Sequence, residues 1–192
     1  MRYAGTTRVV AVATAAIALS IAGVAEAQTL LGSNSHGTAI AVSVGSYVNF
    51  YDYGDYRTFR GLRINPEFQF HGRSSLQAYS GFGGAIGADI YPGYFSLLAA
   101  GFSARAFYDI QVISGAAFFL APYFGATVGG VFGNNAGFFV SPSVGLELKL
   151  VFVDRVLLGV RPIGIAMPIV ITNLVTTVGF GYDAAITLGI TL

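Results

Sequence analysis

Cysteine and tryptophan are absent from the 192 residues, histidine occurs twice, and charged side chains make up only 10% of the chain. Without cysteine there is neither a disulfide framework nor a thiolate metal site, and His36 and His71 alone cannot complete a zinc site. Ten basic and nine acidic residues leave a formal net charge of +1. Lys and Arg do not cluster, so the electrostatic footprint of a nucleic-acid binder is missing. No cofactor motif stands out: Gly81-Phe82-Gly83-Gly84 lacks both the Lys of a phosphate loop and the spacing of a dinucleotide loop. What is present is apolar: 54% hydrophobic residues, with 26 Gly, 16 Phe and 11 Tyr. Hydrophobicity this high excludes a disordered chain, and a charged fraction well under the roughly 25% of soluble domains points to a membrane protein or a sheet-rich shell.

The N-terminus reads as a secretory signal. Arg2 and Arg8 precede the uncharged stretch Val9 to Ala25, and the small-x-small triplet Ala25-Glu26-Ala27 suits cleavage before Gln28. An uncleaved anchor helix is the competing reading, weakened by Thr14, Ser20 and Gly23 within the stretch. No Cys follows the site, so lipid attachment at a cysteine is excluded. Residues 28–192 then form one domain, since no Pro/Ser-rich linker or charge run divides them.

The period of the hydrophobic pattern is two. From Leu62 to His71, Leu62, Ile64, Pro66, Phe68 and Phe70 alternate with Arg63, Asn65, Glu67, Gln69 and His71. From Phe138 to Leu150 only Phe139 breaks the alternation, and from Val178 to Leu192 it runs to the last residue. Successive side chains of a strand point to opposite faces, so these are strands and not helices. Weaker alternation marks strands from Ala39 to Phe50, about Leu76 to Ile90 and about Phe95 to Asp109. Ile113 to Val131 and Val156 to Ala166 fit less well. Turn-like pieces fall between them, including Asp52-Tyr53-Gly54-Asp55, Tyr91-Pro92-Gly93 and Gly133-Asn134-Asn135. The count is eight strands, ten being the alternative.

A soluble sandwich would need a polar face rich in Lys, Glu, Thr and Asn. Here the second parity is largely Gly, Ala and Ser. A closed membrane barrel suits the pattern instead: lipid meets the apolar parity, and the sheet pairs every backbone group. The expected fold is therefore all-β, an antiparallel up-and-down transmembrane barrel. Its inward parity would carry the candidate lumen charges Arg63, Glu67, Asp89, Arg105, Asp109, Glu147, Lys149, Arg161 and Asp183, together with His71. In a lumen of about eight strands these charges form an ion-paired plug. Alternatively, inward Gly81, Gly83, Gly87, Gly179, Gly181 and Gly189 leave a narrow conduit. Aromatics near strand ends, namely Tyr47, Phe50, Tyr51, Tyr53, Tyr56, Tyr91, Tyr94, Phe95, Phe132, Phe138 and Phe139, would form interfacial girdles.

Two rivals come from other patterns. Val112 to Val131 is a 20-residue uncharged run with Gly125 and Gly129 at helix-packing spacing, which reads as an α-helical inner-membrane segment, though Pro122 interrupts it. His71 near Ser74 and Ser75 resembles the His/Ser pairs of outer-membrane lipid hydrolases, but a base and its orienting acid cannot be placed from sequence.

The signal segment, the dyad strands, the repeated Pro-x-x-Gly of Pro122 to Gly125 and Pro142 to Gly145, and the terminal strand Gly181 to Leu192 together resemble the small bacterial outer-membrane barrels of the OmpA, OmpX and OmpW types. The chain ends in Leu192 where that family usually has Phe. The resemblance implies Sec-dependent export to the outer membrane, insertion from the periplasm by the barrel-assembly machinery, and both termini on the periplasmic side. Outer-membrane lipid is the expected partner. The expected role is structural or that of a narrow porin-like channel, non-enzymatic. A lipid-modifying enzyme and a surface interaction protein are the alternatives, the latter disfavoured by outward connections of only about 4 to 8 residues.

Overall fold

The computed structural model describes residues 37–192 except 53–55, 72–79, 95–96, 114–116, 134–135, 153–154 and 173–175. The signal segment, Ser74, Ser75, Tyr53 and Phe95, and the side chains of Tyr56 and Tyr94, lie outside this description.

The described residues form one antiparallel sheet of consecutive strands: β1 (Thr38–Asp52), β2 (Tyr56–His71), β3 (Gly81–Tyr94), β4 (Leu97–Gln111), β5 (Phe118–Phe132), β6 (Gly137–Phe152), β7 (Val156–Ala166), β8 (Ile169–Thr172) and β9 (Thr176–Thr191). β9 pairs back onto β1, from Ala39 opposite Thr191 to Tyr51 opposite Gly179, and so closes the sheet on itself. β7 and β8 are two parts of one wall strand. Both lie between β6 and β9 in an unchanged register, and the ladder continues across the gap through Met167 N–H to Pro142 C=O (2.9 Å) and Gly179 N–H to Pro168 C=O (2.7 Å). The molecule is thus an eight-stranded closed barrel. Closure removes the sheet edges that would otherwise template aggregation. The strands other than β7 and β8 run 14 to 16 residues, longer than the roughly 9–11 that a tilted strand needs to cross a bilayer.

Alternation governs both faces. Along β9 exposed Val178, Phe180, Tyr182, Ile186, Leu188 and Ile190 alternate with buried Thr177, Gly179, Gly181, Asp183, Ala185, Thr187, Gly189 and Thr191. The other strands repeat the pattern, and the outer wall presents side chains such as Ile40 (58% exposed), Phe102 (60%), Phe124 (68%) and Phe82 (77%). An apolar surface running round the whole circumference is what hydrocarbon solvates and water does not.

The structure bears out the fifth strand against its helical rival and corrects other expectations. β5 is a strand over the segment that hydropathy reads as a helix. Its period is masked because both faces are apolar: Phe119, Ala121, Tyr123 and Val131 point inward while Leu120, Phe124 and Val128 point outward. No helix among the described residues is long and apolar enough to cross a membrane. Gly133 follows the strand at φ 141°, a conformation that side-chain-bearing residues rarely adopt. Tyr91-Pro92-Gly93 is not a turn: β3 continues to Tyr94, with a register shift between Pro92 and Tyr94. The weak alternation of β7 also has a cause. A bulge at Pro162 shifts the register between Arg161 and Gly164, so Leu157, Gly159 and Arg161 face inward before it and Gly164 after it. The carbonyl of Pro162 accepts a hydrogen bond from the Tyr182 hydroxyl, which satisfies it on the outer wall.

The aromatic girdle holds only in part. Phe50, Phe132 and Phe138 project outward, at 46%, 54% and 44% exposure. Tyr47, Tyr51 and Phe139 are buried inside the barrel, with Tyr91 packed against them. Nearness to a strand end does not decide which face a residue takes; parity does, and these four share the parity of the lumen charges.

Ile186 tests the alternation. Ile186→Arg, on the outer wall at mid-strand, is expected to lower folding stability in lipid vesicles by about 2–4 kcal/mol. Urea titration of the vesicle-folded protein measures this, and an effect near zero would show that the wall does not face lipid.

Candidate functional site in the barrel interior

An eight-stranded barrel is just wide enough for its inward side chains to fill it. Here they fill it in three layers. At the rim where β1 begins and β9 ends, Ala39, Ala41, Ala117, Phe119, Val151 and Leu157 pack as an apolar cluster. At the opposite rim Tyr47, Tyr51, Ala99, Val131, Phe139 and Val170 form another, with Tyr47 and Tyr91 edge to face at 5.4 Å. The ten titratable side chains expected in the lumen meet in the interior, with His71, the last residue of β2, at the rim where β1 begins.

Those ten form connected groups. Nearest the first cluster, Asp109 accepts hydrogen bonds from Lys149 Nζ (3.0 Å) and pairs with His71 Nδ1 (2.6 Å). The Lys149 ammonium also stands 3.2 Å from the centre of the Phe107 ring, a cation–π contact within a fully buried setting. Below it, Arg105 bridges two carboxylates, donating from Nη2 to Glu67 (2.5 Å) and from Nη1 to Glu147 (2.6 Å). Gln69 donates to Glu67 at 2.6 Å and the Thr187 hydroxyl to Glu147 at 3.1 Å. Arg161 lies 3.7 Å from both Glu147 and Asp183, with its guanidinium 4.9 Å from the Tyr123 ring. In the third group Arg63 donates Nε and Nη2 to Asp89 (2.9 and 3.1 Å) and Nη1 to Asp183 (2.6 Å). The Thr127 and Tyr91 hydroxyls also donate to Asp89 Oδ2.

Burial explains this connectivity. Asp89, Glu147 and Lys149 are each at most 1% exposed, and a charge so far from water is tolerated where counter-charges and hydrogen bonds replace its hydration. Arg161 is equally buried and has two carboxylates at 3.7 Å, while its Nε and Nη2 have no hydrogen-bond partner. The pairs join residues far apart in the chain, such as Arg63 and Asp183, so closure of the barrel is what assembles them.

At most of the inward glycines the space of a side chain is already taken. Large side chains from neighbouring strands lie flat across them. A Cβ at Gly179 would stand 2.6 Å from the Tyr51 ring, one at Gly61 2.7 Å from the Tyr47 hydroxyl, and one at Gly159 2.6 Å from Glu147. At Gly83 it would strike Phe107 and at Gly181 it would strike Asn49. At Gly87 and Gly189 the obstacle is the adjoining strand, Glu67 and Ala41 respectively, while Gly81 is buried at the start of β3. Two cavities of about 30 and 20 Å³ interrupt the packing, each sized for a water molecule.

Sequence reasoning missed the neutral members of the site: Gln69, Tyr91, Phe107, Tyr123, Thr127 and Thr187. They share the inward parity of the charges, and that shared parity was the available signal. His71 does acquire an orienting acid in Asp109. Its side chain is 4% exposed and stacked near Phe107 in the lumen, away from the outer wall that lipid would touch. Among the described residues no group of His, Asp and Glu could hold a metal ion by its spacing.

No family model and no curated protein matches the chain. Among solved structures, the crystal structure of Neisserial surface protein A aligns with a TM-score of 0.50 at 14% identity, over 80% of this chain and 99% of that one. The attachment invasion locus protein Ail of Yersinia pestis aligns with a TM-score of 0.46 at 14% identity, over 82% of this chain and 99% of that one. The alignment with the Neisserial protein shows a shared fold.

Removing one member of the charge network leaves its partners buried and unpaired. Arg105→Ala, which strands Glu67 and strips Glu147 of its closest cation, is expected to cost about 3–5 kcal/mol. Adding Glu67→Gln and Glu147→Gln to it is expected to recover a large part of that loss. Urea unfolding of the single and triple variants measures both, and a triple variant no more stable than Arg105→Ala would refute the ion-pair account.

Proposed function

We propose that this chain is a bacterial outer-membrane protein whose barrel is closed to solutes and which serves a structural role in the membrane, without enzymatic activity. The observation that carries this reading is the layered lumen: apolar side chains at both rims enclose a network of paired charges. Among the described residues, cavities of about 30 and 20 Å³ lie within it. A conducting barrel needs a continuous wet path, and hydrocarbon-lined rims oppose one.

The outer wall supports the membrane environment, with outer-membrane lipid as its solvent. Residues 1–27 act as a Sec signal that is removed, and residues 28–192 are delivered to the barrel-assembly machinery, which reads the regular alternation of β9. Amino-terminal sequencing of the outer-membrane fraction is expected to begin at Gln28. Lipid modification is disfavoured because His71 faces the lumen and not the wall. A role in surface recognition is disfavoured by length: the connections at the rim opposite Thr38 and Thr191 are only residues 53–55, 95–96, 133–136 and 173–175.

A narrow porin-like channel is the competing reading. Its support is that the two cavities share Arg63, Thr127 and Ser143 in their linings. Planar-bilayer recording of the purified barrel decides between them. Neither the native protein nor Arg105→Ala is expected to show conductance steps, because both apolar layers survive that substitution. Reproducible steps from the native protein would overturn the closed reading.

A further inference from the structure

Among the described strand side chains, charge is kept off the outer wall with one exception. Nine of those that carry Lys, Arg, Asp or Glu point into the lumen, and the five carboxylates Glu67, Asp89, Asp109, Glu147 and Asp183 are all there. Arg60 is exposed on the other face. Its neighbours along β2 fix the direction. Phe59 packs against the apolar cluster inside the barrel, and a Cβ at Gly61 would meet Tyr47 there. Leu62, which shares the parity of Arg60, is 44% exposed on the wall.

The level of Arg60 on the wall follows from its strand. Outward Leu62, Ile64, Pro66, Phe68 and Phe70 form an unbroken apolar run, about the length of the 9–11 residues with which a tilted strand crosses hydrocarbon. Arg60 and then exposed Thr58 come next, towards the rim opposite Thr38 and Thr191. Across the sheet Arg60 stands opposite Val48, whose other partner is Tyr182, and Thr58 stands opposite Phe50. Phe50 and Tyr182 are outward too, at 46% and 42% exposure. Exposed aromatic side chains at the end of an apolar run mark the depth of the lipid headgroups.

We propose that Arg60 binds the phosphate of an anionic membrane lipid and so holds one such lipid against the β1–β2 face of that rim, with the Thr58 hydroxyl beside it as a further donor. A guanidinium at this depth borders hydrocarbon on one side, where a charge needs a counter-charge. In the lumen carboxylates supply it. On the wall no described carboxylate does, and the anion that lipid brings to headgroup depth is phosphate. Its oxygens match the parallel N–H groups of a planar guanidinium, which makes arginine a better partner than lysine. The site rests on the membrane reading given above, and not on a closed lumen.

The test is native mass spectrometry of the barrel folded in detergent micelles, with phosphatidic acid or phosphatidylcholine added. The native protein is expected to retain phosphatidic acid in preference, since choline offsets the phosphate charge of the other lipid. Arg60→Gln is expected to lower that retention about fivefold. Arg60→Lys keeps the charge without the two-pronged contact and is expected to fall between the two. Arg155→Gln, in an exposed turn at the opposite rim, is expected to leave retention unchanged. Equal retention of phosphatidic acid by the native protein and Arg60→Gln would overturn the proposal and show that water serves the guanidinium. Equal retention of the two lipids by the native protein would overturn it as well. If the native chain folds into lipid vesicles but shows no such preference, the site alone falls. If it does not fold into them at all, the membrane reading falls and takes the site with it.

Discussion

Every backbone amide and carbonyl that faces hydrocarbon must find its partner within the chain, because lipid offers none. The pairing of β9 with β1 meets that requirement, turning a row of hairpins into a ring without edges. From closure follow the two environments on which the rest of the molecule depends. One parity of every strand is committed to the outer wall and the other to a narrow interior, and a slip of one residue would exchange them.

The interior is governed by scarcity of space and of water. Eight strands leave room for side chains but not for hydrated ions in number. Charges placed there must use one another, and they do so through arginines that span two carboxylates at a time, as Arg105 does between Glu67 and Glu147. Glycine is the complement of this arrangement. At positions such as Gly61, Gly83 and Gly179 the missing side chain is where a tyrosine or phenylalanine from the next strand lies. At these positions glycine marks close packing of neighbouring side chains.

Departures from regularity sit at proline. Pro162 coincides with the bulge that reverses parity within β7, Pro168 falls in the gap between β7 and β8, and Pro92 adjoins the register shift in β3. Proline cannot donate to the ladder. The carbonyls of Pro162 and Pro168 still accept, from the Tyr182 hydroxyl and the Gly179 amide, and so keep these sites tied to β9.

Sequence alone determined the strand character, the inward or outward face of most residues, and the identity of the ten titratable side chains in the lumen, because side-chain direction in a strand depends only on parity. It did not separate β5 from a helix, since both of its faces are apolar, and it did not anticipate the parity reversal at Pro162, since a bulge inserts one residue without changing composition. The faces taken by Tyr47, Tyr51 and Phe139 were legible in their parity but were hidden by their nearness to strand ends. Only the tertiary structure decided which charge meets which. Arg63 finds Asp89 on the adjoining β3 and Asp183 on β9, the strand beyond β1, because register and curvature bring these inward side chains together. That approach is set by the strands together and is written in none of them singly.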